Sequence, residues 1–453
     1  MSDSPRGYTS LRGETAQIAS LAAPVAIWNL GLMLMGFVDV FWVARLEDSA
    51  QLAAVSLGHI YSFSVLVFGQ GLLRGFDPFL AQAHGAGERA RLAEHLARAI
   101  LFTLVLTLPT IALHWLAGPL LQLFDQPEAI VPITVAYCES LIWGLAPALL
   151  FVALGQFFQN LGRALLPMVA ILIANVLNLV LDRMFVLGFE PWHIPSFGAV
   201  GCGHATSIGR WVMCLVLVAF GWRSLKQYRP ARLGDVFDWQ MNMRVLRTGL
   251  PVGAQACLEG WAFSALGLMM GWLGKAELAA HAVVINLAAM TYMVPAGIGA
   301  AASIRVGHLI GLGDARWPTS AWLSIAFSVC WMTCTGLFFW LAREPLAAYY
   351  SVEQSVRLTI IALLPVAAGF QIFDGIQATA FGALRGAGDT TFPAAANMIG
   401  YWIIGLPAGY LFGVHFGFGA VALWGSVALA LMIISFLVLG RLFVLVRRGV
   451  ERV

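Results

Sequence analysis

About twelve apolar runs, each long enough to cross a bilayer as a helix, follow one another through almost the whole of the 453-residue chain. A spanning helix needs about 20 consecutive, mostly apolar residues at a rise of about 1.5 Å each. By that rule the runs fall at 17–44, 52–80, 93–116, 129–154, 165–188, 198–221, 245–272, 278–304, 318–342, 357–381, 392–413 and 418–444. Hydrophobic residues make up 60% of the chain and charged ones 11%, where soluble domains carry about 45–50% and about 25%. The chain therefore reads as an all-α membrane protein. No segment outside the runs is long enough to fold as a soluble domain, so any activity has to sit inside the helical bundle.

Residues 1–16 read as a polar tail, without the basic start, apolar middle and small-residue cut site of a cleaved signal peptide. The first run is expected to serve as its own insertion signal. Basic residues accumulate on the cytoplasmic side of membrane proteins. With the N-terminus inside, nineteen of them, from Arg6 and Arg12 to Arg448 and Arg452, fall on inner segments. Only Arg45, Arg183, Lys275, Arg343 and Arg357 fall outside. Both termini, the 222–244 linker and the 445–453 tail are thus expected in the cytoplasm of a bacterial inner (plasma) membrane. The net charge of +3 follows from basic loops facing anionic lipid and calls for no nucleic-acid partner. The six cysteines, Cys138, Cys202, Cys214, Cys257, Cys330 and Cys334, show no CxxC or Cys/His ligand spacing and read as small buried apolar residues.

Laid on itself at an offset of 226, the chain repeats. "LAAVS" at 52 falls on "LAAHA" at 278, Gly71 on Gly297, "GAG" at 85 on "GLG" at 311, Gly162 on Gly388 and Pro167 on Pro393. "FGAVGCG" at 197 meets "FGAVALW" at 418 after a slip to 221, and Pro24 meets Pro251 at 227. Each unit holds six spans, an even number, so the second copy enters the membrane in the same sense as the first. The expected plan is two parallel six-helix lobes, 17–221 and 245–444, around a central cavity, a recurrent design in secondary transporters.

Carboxylates inside the runs are the sharpest chemical signal. A charge at mid-membrane costs at least about 2.5 kcal/mol on insertion scales and marks an ion or substrate pathway. Asp39 lies in the first run; Asp182 lies in the fifth, with Asn178 one turn earlier on the same face. Thr206 is at a similar depth in the sixth. Such a group can share a proton or hold a small hard cation such as Na⁺ through oxygen. Glu259 in the seventh run and Asp374 in the tenth have no basic residue within a turn, and binding H⁺ or Na⁺ would supply the missing charge. Arg74 and Asp77 are spaced to pair on one face as a structural ion pair. The histidines carry no assigned role. Met33, Phe263, Met290 and Tyr292 are candidates to line a cavity for bulky apolar cations.

In "LAAPVAIWNLGLMLMGFVDVFWVARL", "LAAVSLG", "QAHGAG", "LAAHAVVINL", "FGALRGAGDTTFP" and "FGAVG", in this order and duplicated, the chain resembles the multidrug and toxic compound extrusion (MATE) transporters along nearly its whole length. The resemblance implies a twelve-helix fold that exports organic cations and other drugs in exchange for Na⁺ or H⁺. It implies an N-lobe cation site at Asp39, Asn178 and Asp182. It also implies a C-lobe site at Glu259 and Asp374, as in the bacterial branch first described for norfloxacin efflux.

The expectation is a cation-coupled antiporter, not an enzyme, working as a monomer without cofactor. Its partners are organic cations and drugs, H⁺ or Na⁺, and the lipid bilayer. The alternative is a flippase or exporter of a lipid-linked or other endogenous metabolite, which needs a more basic cavity than Arg74 and Arg210 supply. An intramembrane enzyme is disfavoured because no HExxH or GxSxG motif is present.

Overall fold

The structure, a computed structural model, describes residues 10–453. Among the described residues, twelve helices are long and apolar enough to span a bilayer. We number them α1 (Leu11–Val43), α2 (Ser49–Gly85), α3 (Arg89–Trp115), α4 (Val131–Asn160), α5 (Leu165–Leu187), α6 (Gly198–Leu225), α7 (Trp239–Leu273), α8 (Lys275–Gly311), α9 (Trp317–Leu341), α10 (Gln354–Gly386), α11 (Thr391–His415) and α12 (Gly419–Arg448). The all-α, twelve-span architecture is the one the apolar runs predict. Arg6 and the rest of residues 1–9 lie outside the described residues. Helix begins at Leu11, within the segment expected as a 1–16 tail.

Local chemistry sets the breaks. Asp48 caps α2 by accepting from the Ala50 N–H at 2.9 Å. Near its far end α2 is interrupted at Gly75–Phe76, and helix resumes at Asp77 with Pro78 in its first turn, where a missing N–H costs nothing. Turns that need a left-handed backbone carry glycine, and they recur at the offsets of the internal repeat. Gly87 (φ 71°) matches Gly313 (71°), Gly162 (74°) matches Gly388 (88°), and Gly198 (55°) matches Gly419 (72°). Residues 398–405 and 409–415 of α11 wind as π-helix, a rare geometry that favours functional positions.

The chain packs as two compact units. One comprises Ile27–Phe76 and Glu88–Leu246, and we call it the first-repeat unit. The other comprises the described residues up to Ala26, Asp77–Gly87 and Arg247–Val453, and we call it the second-repeat unit. The N-terminal end of α1 and the C-terminal end of α2 thus belong by packing to the second-repeat unit. Within the first-repeat unit, the connector after α6 is anchored and not loose. Buried Tyr228 meets Phe157 edge-on at 5.2 Å, and the Arg98 guanidinium donates to the Asp235 carbonyl.

Two sequence expectations change here. Arg74 is exposed, and Asp77 pairs instead with Arg385 (Nε to Oδ2, 3.1 Å), because the break at Gly75–Phe76 removes the helical register that would have aligned 74 with 77. Cys138, Cys202, Cys214 and Cys257 are buried, but Cys330 and Cys334 are exposed on α9. They lie on an outward face of an apolar helix, where a weakly polar thiol carries little penalty.

Candidate functional sites

In the first-repeat unit, α1, α2, α5 and α6 converge on Asp39, which is 1% exposed. The Thr206 hydroxyl lies 3.1 Å from Asp39 Oδ1 and 2.9 Å from Oδ2, Asn178 Nδ2 lies 3.5 Å from Oδ1, and His59 Nε2 lies 3.0 Å from Oδ2. Asn175, one turn before Asn178, ties α5 to α1 by donating to the Gly31 carbonyl at 2.9 Å. Asp182 is fully buried, so it does not face headgroups beside Arg183. A carboxylate oxygen of Asp39, one of Asp182 and the Cys202 sulfur all lie within 4.8 Å of one another. Among the described residues no donor reaches either oxygen of Asp182, nor does the Asn178 carbonyl oxygen find a partner. Two buried carboxylates this close repel unless a cation or a shared proton lies between them. The oxygens of Asp39, Asp182, Asn178 and Thr206 are the donor set a hard cation takes.

Counting depth along the helices was enough to bring Asp39, Asn178, Asp182 and Thr206 together. His59 and Cys202 were missed. His59 is ten residues into the 37-residue α2, inside the helix and away from its end. Its ring lies 5.7 Å from that of Tyr137, and a Cβ at Gly36 would come within 3.3 Å of it. The imidazole therefore sits in a fitted slot. Arg210, one turn beyond Thr206, has a buried Nη1 without a hydrogen-bond partner.

In the second-repeat unit, α7, α10 and α11 build a second polar cluster. Asn397 Nδ2 donates to Glu259 Oε2 at 3.3 Å, Gln377 Nε2 donates to Asn397 Oδ1 at 2.9 Å, and Tyr401 Oη donates to Gln377 Oε1 at 3.3 Å. Trp402 Nε1 donates to the Leu258 carbonyl at 3.0 Å, fixing the π-wound part of α11 against α7. Asp374, 4% exposed and one turn before Gln377, lies within electrostatic range of Glu259. No ion pair reaches Asp374 among the described residues. Asn397, Gln377 and Tyr401 were not singled out from sequence; Gln377 alone carried a signal, three residues from Asp374 on one helical face.

Of the candidate cavity residues, Phe263 is half-buried, with ring centroids 5.9 Å from Tyr401 and 6.1 Å from Phe370, so it borders the Glu259 cluster. Tyr292 and Met33 are half-buried, and Met290 is 50% exposed on α8. Tyr292 lies within electrostatic range of Tyr401, so it and Phe263 both border the Glu259 cluster.

The family model described as MatE matches the chain twice, over residues 24–184 and 251–411. The two matches fall on the two halves of the internal repeat. The multidrug resistance protein NorM of Vibrio cholerae is 32% identical over 88% of this chain and 88% of its own length. The multidrug resistance protein PmpM of Pseudomonas aeruginosa is 31% identical over 93% and 89%. Among solved structures, the eukaryotic MATE transporter AtDTX14 superposes with a TM-score of 0.85 at 24% identity, covering 96% of both chains.

Proposed function

Because the chain belongs to the MATE family, as a multidrug efflux transporter and not an enzyme, we propose that it is a cation-coupled antiporter. It exports organic, mostly cationic drugs by alternating access, driven by inward H⁺ or Na⁺. The six-helix repeats, 17–221 and 245–444, are the halves that alternate, joined by 222–244. The chain works as a monomer in a bacterial inner membrane with both termini cytoplasmic, a placement supported by the basic residues of its inner segments.

The observation that carries this reading is the pair of buried carboxylates Asp39 and Asp182, held within reach of one cation, with no donor on either Asp182 oxygen among the described residues. Glu259 and Asp374 supply an equivalent acidic pair in the other repeat. Cation binding at such groups favours one facing of the protein. A cationic drug competes for the same charges, and exchange follows from that exclusion.

The test is reconstitution into liposomes loaded with a fluorescent cationic dye, with a pH gradient and a Na⁺ gradient imposed separately. Asp39→Asn and Asp374→Asn are run alongside. Gradient-driven dye movement names the ion, and the more damaged variant names the repeat that binds it. No movement under either gradient rejects the proposal.

A further inference from the structure

Both ends of first-repeat helices that pack into the second-repeat unit are fastened there by buried charge. Glu14, fully buried at the start of α1, takes a two-pronged grip from Arg305 of α8, with Nε to Oε1 at 2.9 Å and Nη2 to Oε2 at 2.7 Å. Arg305 is 2% exposed. Asp77, at the restart of α2, pairs with Arg385 of α10, and Gln82 Nε2 donates to the Gly386 carbonyl at 3.1 Å.

Between these polar ties the backbones touch. A Cβ at Gly85 would fall on the His308 carbonyl oxygen, and one at Gly311 would fall on the Gln82 carbonyl oxygen. At the repeat offset of 226, residue 82 corresponds to 308 and 85 to 311, so each contact is the mirror of the other under the duplication. A Cβ at Gly297 would likewise meet the Ala22 carbonyl and Ala26. Equivalent elements of the two repeats are therefore interlocked at one point, with no room for solvent.

The fastened ends are also where α1 and α2 change allegiance. α1 leaves the second-repeat unit after Ala26, two residues past Pro24, which interrupts its backbone bonding; α2 joins that unit at Asp77, just after the break at Gly75–Phe76. A fixed scaffold needs neither a breakable joint in each of two helices nor two largely buried ion pairs. Apolar pairs of similar volume hold as well or better.

We infer that Glu14–Arg305 and Asp77–Arg385, together with the Gly85 and Gly311 interlock, form a releasable latch that closes the inner end of the transport path. This deepens the alternating-access reading and rests on it. The basic residues of the inner segments put the latch on the cytoplasmic side. Opening inward requires the α1 and α2 ends to swing off α8 and α10 about Pro24 and Gly75–Phe76.

The test reads accessibility in the full-length chain, without drug or gradient. In a Cys330→Ala, Cys334→Ala background, Ala83→Cys places a reporter at a buried position of the α2 end, and a membrane-impermeant maleimide is applied from the cytoplasmic side. Glu14→Gln and Asp77→Asn each speed labelling roughly tenfold or more, since removing one partner strands a buried charge. The double replacement Glu14→Met with Arg305→Met returns labelling to the reference rate or below, because a dry apolar pair keeps the ends together. Thermal melting of each variant confirms that it is folded. Reference-rate labelling in both single variants, with folding intact, overturns the latch. Failure of the dye assay with these labelling changes intact rejects the transport reading and leaves the ion pairs as a breakable joint with no transport path to close.

Discussion

His59 Nε2 lies 3.0 Å from Asp39 Oδ2 and joins α2 to a carboxylate of α1 that is 1% exposed. The imidazole side chain is 27% exposed where the aspartate is 2%, so it is the most accessible member of a contact that is otherwise closed. With Thr206 on the same oxygen, it fixes the orientation in which Asp39 faces Asp182. Hydrogen bonds to charged groups contribute about 1.5–3 kcal/mol, so His59→Ala is expected to slow dye export by about tenfold. His59→Gln, which keeps a donor in the Gly36 slot, recovers most of the rate. Initial rates across dye concentrations in proteoliposomes check this, and an unaltered His59→Ala rate removes the imidazole from the mechanism.

Neutralising the carboxylates separates transport from stability. Asp374 is buried with no ion pair among the described residues, so Asp374→Asn removes an ionisable group from a desolvated site and is expected to leave the melting temperature unchanged or slightly raised. Glu259→Gln and Asp39→Asn keep nearly the same shape and stay folded. All three lower gradient-driven efflux by at least about tenfold if each carboxylate carries a coupling charge. Melting curves in detergent and dye efflux are measured on the same preparations. Normal efflux by all three variants rejects cation exchange at these residues.

Most of the fold was legible because a bilayer enforces it: only a long apolar run can hide a helical backbone in lipid, and twelve such runs are visible. The duplication was legible because its turns demand glycine, as at Gly162 and Gly388. In the first cluster, Asp39, Asn178, Asp182 and Thr206 could be grouped because depth along a helix is a matter of counting. His59 and Cys202 escaped because ordinary packing explains either residue equally well until the helices are placed. The Asp77–Arg385 pair joins residues more than 300 positions apart, so no local spacing points to it. The π-wound stretch of α11, which brings Tyr401 to Gln377, has no pattern in sequence that distinguishes it from α-helix.

Two glycine-to-alanine changes are expected to move stability in opposite directions. At Gly85 the added methyl collides with the His308 backbone, which cannot step aside as a flexible side chain would. Overpacking of this kind costs about 1–3 kcal/mol. Gly440 on α12 has no neighbour within 4 Å of the added Cβ, so alanine there is expected to stabilise by about 0.5–1 kcal/mol through lost freedom of the unfolded chain. Thermal unfolding followed by size-exclusion chromatography distinguishes them. An unchanged melting temperature for Gly85→Ala would mean that the α2 end has room to retreat from α8.

Asn397 stands between Gln377 and Glu259 and is the step at which the second cluster can be cut without touching a carboxylate. Its amide donates to Glu259 and accepts from Gln377, so Asn397→Ala removes both bonds and leaves the Gln377 amide without its acceptor. A buried donor stranded in this way costs about 1–3 kcal/mol, and Glu259 loses the contact that fixes its carboxylate. Export is therefore expected to fall several-fold, with the melting temperature lowered as well. Tyr401→Phe removes only the terminal 3.3 Å bond to Gln377 and keeps the ring against Phe263, so its effect on both quantities is smaller, about 1 kcal/mol or less in stability. Asn397→Asp keeps an acceptor for Gln377 but loses the donor and sets a second carboxylate beside Glu259, so neither stability nor export is expected to recover unless a proton or cation is held between the two. Unchanged export in Asn397→Ala, with only the melting temperature lowered, would mean that Asn397 supports α11 and does not orient Glu259.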